Sequence, residues 1–420
     1  MIRYLILSII IFQEIYSSHV IGLRVKYSSV DNISNNISFD KSNLGDGIYT
    51  WINMDFGTMR YINEMTLSKS FKNMLRGSKK EIRGFYGFSN QGYVQFEPKS
   101  INLQHQIKLG RSYINHGFSR SGKLLISNWS RPFDLISWKA NYKNINAELV
   151  GAQLDQIAGN NRFLSMHAIN FLFANGITLS FAESFLYAGA DRGIELQYFN
   201  PTLFWVPIRE NQDSNQGNSI LYSGIKYSKE NYELWLELIL DDFQIDKEVR
   251  EPASYGYITG INFKTKNKSI EETFIEYTKV TNRTYQAVMS NRAEDFLHRG
   301  FPIGHHLGND FDYLHLSIFF KKIKLANIKC MPSTSLSLIR DGFGGIETPW
   351  DSPWNNDDDS FQEHFPTKPV KNIYEFELTN DFIFENGSNI NFGLLILKEY
   401  NFKTYFLLKY WLEFDKIFDY

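Results

Sequence analysis

A two-residue alternation of apolar and polar side chains, repeated over long stretches, most limits what this chain can fold into. From Phe406 to Tyr420 the even positions carry Phe406, Leu408, Tyr410, Leu412, Phe414, Phe418 and Tyr420, broken only by Lys416. The odd positions include Lys409, Glu413, Asp415 and Asp419, with Leu407, Trp411 and Ile417 among them. Such a period gives a strand one greasy and one wet face. The pattern returns in Ile101-Leu103-His105-Ile107-Leu109, in Tyr232-Leu234-Leu236-Leu238-Leu240 and in Tyr374-Phe376-Leu378. A soluble sandwich could use these segments, but their number and length, with an aromatic closing strand, point to a membrane barrel whose even terminal face meets lipid.

Composition agrees with that reading. Aromatics make up 16% of the residues, with 35 Phe, 24 Tyr and 8 Trp, which suits strands and interfacial girdles. Mean hydropathy is −0.32, a value a barrel reaches by keeping half of each strand in a polar lumen. A net charge of −2 offers no basic footprint for nucleic acid, and the single Cys330 excludes an intrachain disulfide framework. The opening Met1-Ile2-Arg3, the short apolar run Tyr4 to Phe12 and Tyr16-Ser17-Ser18 read as an export signal over residues 1–18, leaving 19–420 as one barrel. No later run approaches the about 20 apolar residues of a membrane helix. Phe171 to Ala182 is broken by Asn175-Gly176, and Phe406 to Phe414 by Lys409 and Glu413.

One hairpin can be read in detail. A two-residue turn at Asn175-Gly176 would set Phe173 against Thr178, mixing the faces. A three-residue loop, Ala174-Asn175-Gly176, pairs Phe173 with Ile177, Phe171 with Leu179, Ile169 with Phe181 and His167 with Glu183. We therefore expect the second register, with Gly176 in the left-handed conformation. Phe384 and Ile390 likewise flank a short loop suited to the periplasmic rim, whereas Arg209 to Asn218 and Gly342 to Pro369 suit the outside. At about 22 residues per strand and connection, the length predicts an all-β, antiparallel transmembrane barrel of about 18 strands.

The middle of the chain holds an ordered series of short motifs. It runs Leu109-Gly110-Arg111, Leu124-Leu125-Ile126-Ser127-Asn128, Arg131-Pro132-Phe133, then Arg162-Phe163-Leu164-Ser165-Met166-His167 and Phe181-Ala182-Glu183-Ser184. Tyr198-Phe199-Asn200-Pro201, Glu237 through Phe243, and Arg299 through Asp310 complete it. The series resembles the Wzi-type capsule-assembly proteins and their relatives among outer-membrane barrels of gliding bacteria. The resemblance implies a monomeric outer-membrane barrel of about 18 strands that attaches or assembles capsular or exopolysaccharide at the cell surface, in contact with outer-membrane lipids. One stretch departs: Asn115-His116-Gly117-Phe118 stands where relatives tend to carry glycine-tryptophan-glycine.

Candidate chemistry can be weighed residue by residue. Arg111, His167, Glu183, Glu233, Glu237 and Asp241 are expected to line a polar lumen. Asp241 and Asp242 point to opposite faces of an extended strand, so they do not make a glycosidase pair without a bend. Glu183 and Ser184 likewise face apart, so with His167 they form no serine triad; His167 and Glu183 read as a cross-strand pair. His298, His305, His306 and His315 would need to converge to hold zinc, and the glycines at 300, 304 and 308 read better as turns. Asp357-Asp358-Asp359 lacks the spacing of a calcium loop and reads as solvated. Sugars need flat aromatic faces beside planar hydrogen-bonding groups, which Trp205, Arg209 and Glu210 offer, as do Trp350 and Trp354; the competing role for the tryptophans is an interfacial girdle. The reading is a binding protein without cofactor, metal or enzymatic activity. A porin-like channel is the alternative, unless groups such as Trp235, Arg111 and Arg192 fill the lumen. A hydrolase would need a paired carboxylate site.

Overall fold

The computed structural model describes residues 18–28, 47–68, 81–98, 102–210, 217–242, 253–266, 268–287, 292–349 and 364–419. The proposed signal therefore lies outside the described residues except for Ser18. Among the described residues one antiparallel sheet holds twenty strands; two are short pieces, Glu81–Ile82 and Ile323–Leu325, paired with Phe85–Phe96 and Ile328–Asp341, and the other eighteen follow one another round it. They are β1 Ser18–Ser28, β2 Gly47–Asp55, β3 Met59–Ser68, β4 Phe85–Phe96, β5 Gln104–Ser112 and β6 Phe133–Tyr142. β7 Ile145–Gln153, β8 Asn161–Leu172, β9 Ile177–Gly189, β10 Asn218–Ser228, β11 Tyr232–Asp242 and β12 Ser254–Lys264 continue the sheet. It ends with β13 Ile270–Val280, β14 Phe311–Phe320, β15 Ile328–Asp341, β16 Lys371–Phe384, β17 Asn389–Lys398 and β18 Phe402–Asp419. β1 pairs with both β2 and β18, Ser18 standing opposite Asp55 and Asp419, so the sheet closes on itself and leaves no edge.

Apart from the closing β1–β18 pair, each neighbouring pair is consecutive in sequence, which sorts the connections onto two rims. One rim carries turns such as 56–58, 143–144, 173–176 and 229–231, and nothing longer than 97–103 or 321–327. The other carries 113–132, 190–217, 281–310 and 342–370. Short turns mark the periplasmic end of outer-membrane barrels and long loops the outside. The hairpin at 173–176 has the expected register, with Leu179 opposite Phe171, Phe181 opposite Ile169 and Glu183 opposite His167. Phe173 N–H donates to Ile177 O at 2.8 Å, and Gly176 sits at φ 90°.

Alternation decides which side chains meet lipid. On β11, Leu234 and Leu236 are exposed on the outside, while Trp235, Glu237 and Ile239 are buried within. On β18, Phe406 is 82% exposed and Leu412 is also exposed, while Tyr405 packs against the interior. The even face of the last strand is thus the lipid face over its described side chains.

Among the described residues, much of the interior is packed with apolar side chains. Inward residues of β6 to β17, among them Phe133, Val150, Leu164, Met166, Ile220, Ile239 and Ile258, form one apolar cluster around Leu124, Leu125 and Ile126, which are fully buried. The last three belong to the connection 113–132, which folds back into the barrel together with the described residues 281–287 and 292–310. Burying side chains of this size gains about 1.5–3 kcal/mol each. An apolar lumen wall is explained by the apolar segments that fill it.

Candidate functional site: a latched plug, a lumenal cavity and an outer strap

Two buried carboxylates form the sockets of the plug. Glu237 on β11 accepts hydrogen bonds from Phe118 N–H at 2.7 Å, from Ser119 N–H, and from Tyr222 OH at 3.1 Å. Glu276 on β13 accepts from Arg120 N–H and Ser121 N–H at 3.0 Å, from Ser119 Oγ at 2.8 Å, from Ser121 Oγ, and from Trp235 Nε1 at 2.8 Å. Consecutive backbone N–H groups of residues 118–121 thus converge on two acids, a pattern that satisfies both chain and charge. Gly117 makes the approach possible: its φ is 124°, and an added Cβ would lie 2.5 Å from Glu237 Oε2.

The second inward segment is fastened to the first and to the wall. Tyr285 OH donates to Leu124 O at 2.6 Å, Ser127 N–H donates to Ile303 O at 2.8 Å, and Tyr285 N–H bonds Asp241. Arg162 on β8 is fully buried and donates to the carbonyls of Ala293, Asp295 and Leu297. Its third direction is taken by Asp155 at 3.2 Å, which also accepts Arg299 N–H at 2.9 Å and lies 3.3 Å from His298 Nδ1. Burial alone would raise the Asp155 carboxyl, but the His298 contact, the Arg299 N–H and the Arg162 charge outweigh it and hold it at about 2. Asp295, in the same segment, is pushed up by burial to about 6, against the Ala287 N–H that favours its anion.

Beside the plug, towards the short-turn rim, a cavity of about 270 Å³ is walled by Ser317, Ser333, Ser335, Ser337, Glu375 and Glu377. Trp129, His306 and Tyr313 bring rings to it. His315 ties the wall together, with Nε2 2.7 Å from Ser317 Oγ and Nδ1 3.0 Å from Ser337 Oγ. Hydroxyls, carboxylates and aromatic faces can hydrogen-bond a polyol and cover its C–H patches. Apart from His306 and His315, which the sequence offered only as zinc candidates, these residues were missed, although Ser333, Ser335 and Ser337 repeat at a period of two and mark a polar inward face.

The expected lumenal set divides. Glu233, which pairs with Lys226 at 3.1 Å, Glu237 and Asp241 do point inward. Arg111, His167 and Glu183 do not, and here the expectation is corrected. Arg111 stands opposite Asp134 and pairs with it at 2.6 Å, on the face of exposed Leu109 and Ile136. His167 and Glu183, 3.2 Å apart, share the outward face of Ile169 and Phe181. A carboxylate there would face hydrocarbon, at high cost. It is covered instead by residues 190–208 of the long connection after β9, which fold down over the outside of β7 to β9.

That strap is built from aromatics. Tyr198 and Trp205 are fully buried against Phe163, Phe185 and Tyr187 on the outer wall. A short helix, α1 Trp205–Glu210, points its first N–H groups at Glu183: Trp205 N at 2.9 Å from Oε2 and Val206 N at 2.7 Å from Oε1. The Trp205 ring lies 4.2 Å from that of His167, centroid to centroid. Trp205 therefore presents no face for a polymer, correcting that part of the sugar-binding set. The side chains of Arg209 and Glu210, and Trp350, Trp354 and Asp357 to Asp359 entirely, lie outside the described residues.

A family model for the capsule assembly protein Wzi matches residues 88–324, more than half of the chain. The chain belongs to the Wzi capsule-assembly family. Among solved structures it is similar to Wzi of Escherichia coli, an outer-membrane protein of group 1 capsule assembly and a carbohydrate-binding β-barrel. Identity is 13%, coverage 94% of this chain and 84% of that one, and the TM-score 0.66. OccK1 (OpdK) of Pseudomonas aeruginosa is more distant, at 9% identity, coverage of 96% and 99%, and TM-score 0.51. At such identities the likeness is one of fold. No curated protein sequence matches the chain. The Wzi family match takes in both inward segments and the strap, so the plug and its sockets lie within the family's own portion of the molecule.

Proposed function

We propose that this chain holds capsular or exopolysaccharide at the bacterial surface through the long-loop rim of an outer-membrane barrel whose lumen is closed, acting as a monomeric binding protein without turnover. The observation that carries the reading is the plug: residues 113–132 and 281–310 are latched to Glu237, Glu276, Asp241 and Arg162, which suits a surface anchor better than a conduit. Wzi family membership supports it, and the E. coli relative binds carbohydrate. Retention would come from many weak contacts to a repeating polymer, so that avidity rather than one deep site sets residence.

Deletion of the gene, followed by staining for attached and shed polymer, tests the proposal. Polysaccharide should move from cells to medium, and the wild-type chain should restore attachment. Unchanged attachment would reject it. Alanine at both Trp350 and Trp354 should weaken retention if that loop contributes flat faces. The channel reading draws on the cavity beside the plug and would require large, stable conductance in planar bilayers.

A further inference from the structure

The strap leaves a groove on the outside of the barrel that polysaccharide retention does not use. It lies between the strap and the staves, has a volume of about 450 Å³, and is lined by Trp138, Ile169, Phe181, Phe204, Leu221 and Leu238. His167 and Glu183 are also part of its wall, but the carboxylate already receives Trp205 N–H, Val206 N–H and the His167 ring. What remains for a ligand is mainly hydrocarbon surface, with Ser223 and Glu148 as the other polar residues of the wall.

The borders of the groove say what fills it. On the barrel side it runs into the lipid-facing belt, where Phe181 is 47% exposed and Leu221 and Leu236 are open as well. On the strap side, Phe204 is 71% exposed and Leu196 is 83% exposed, with Ile194 and Leu203 beside them. Exposed apolar groups in this number mark an interaction surface, and on the outside of a membrane barrel that surface meets lipid. The strap descends from the long-loop rim, so the groove opens into the outer leaflet.

We propose that this groove binds one acyl chain of an outer-leaflet lipopolysaccharide, clamped between the Phe204 side of the strap and the outer faces of β8 to β11. Because the bilayer is as apolar as the groove, attraction comes from close packing rather than from leaving water. The bound lipid should therefore be most apparent when the bilayer is replaced by a mild detergent.

Native mass spectrometry of the whole chain, extracted from outer membranes and exchanged into mild detergent, tests the proposal. The wild type should retain one lipopolysaccharide molecule per barrel. Ala147→Trp should reduce that occupancy more than tenfold, since Ala147 lines the groove and the larger ring would fill it. Heat-modifiability on gels should show the variant still folded. If it does not fold, Phe204→Ser, at a strap side chain already exposed, carries the test with the same expected loss. Wild-type barrels emerging free of lipid, retaining phospholipid instead, or a folded variant retaining as much lipopolysaccharide would overturn the assignment.

Discussion

At the scale of single residues, acids act here as fasteners for backbone. Glu276 receives hydrogen bonds from three plug residues and from Trp235, and replacing it with alanine would orphan buried donors at about 1–3 kcal/mol each. Glu276→Ala should lower the temperature at which the barrel loses its heat-modifiable form, with Glu276→Gln falling between it and the wild type. Asp155 and Asp295 give the plug opposite responses to acid. The folded-state value of Asp155 is depressed to about 2, so its contribution is present above the unfolded value of about 3.9 and fades as pH falls towards 2. The value of Asp295 is raised to about 6, so the cost of burying its anion is relieved as pH falls through 6. Melting temperatures measured from pH 7 to 2 should rise slightly near 6 and drop below 4. Asp155→Asn should flatten the acid limb, and Asp295→Asn the rise.

At the scale of elements, the hairpin of β8 and β9 was legible because one register alone keeps apolar side chains on one face. The strap was not. Its Tyr198, Phe199 and Trp205 are separated by no recognisable period, and the wall they cover belongs to strands tens of residues away. Assigning His167 and Glu183 to the lumen followed from equating polar with inward, and it failed because a separate segment covers the outside. Gly151 records that contact: a Cβ built on it would lie 1.9 Å from the Phe199 ring. Gly151→Val should lift the strap, and protease added to whole cells should then cleave between residues 190 and 217 in the variant faster than in the wild type.

For the whole molecule, Wzi family membership and an exposed apolar outer face place the closed barrel in the outer membrane, but the inward segments decide what passes through it. Wild-type protein in planar bilayers should show only small conductance. Deleting residues 118–127, which removes the Glu237 and Glu276 contacts together with Leu124 to Ile126, should open large conductance steps while the barrel stays heat-modifiable. Similar small conductance from both proteins would mean that other segments close the lumen.

The sequence by itself determined the strand-built class, the approximate strand number, the register of one hairpin and the inward aim of Glu233, Glu237 and Asp241. All of these follow from local rules, because a strand's facing depends only on odd or even position. Its ordered motifs also pointed to the Wzi family. Tertiary structure alone decided that the lumen is filled, that Glu183 faces outward beneath a strap, that Trp205 is buried, and that serines of β15 line a cavity. Each of these depends on where a loop travels after leaving its strand. That path is chosen by distant partners, through the burial of its apolar side chains and the need of its N–H groups for acceptors.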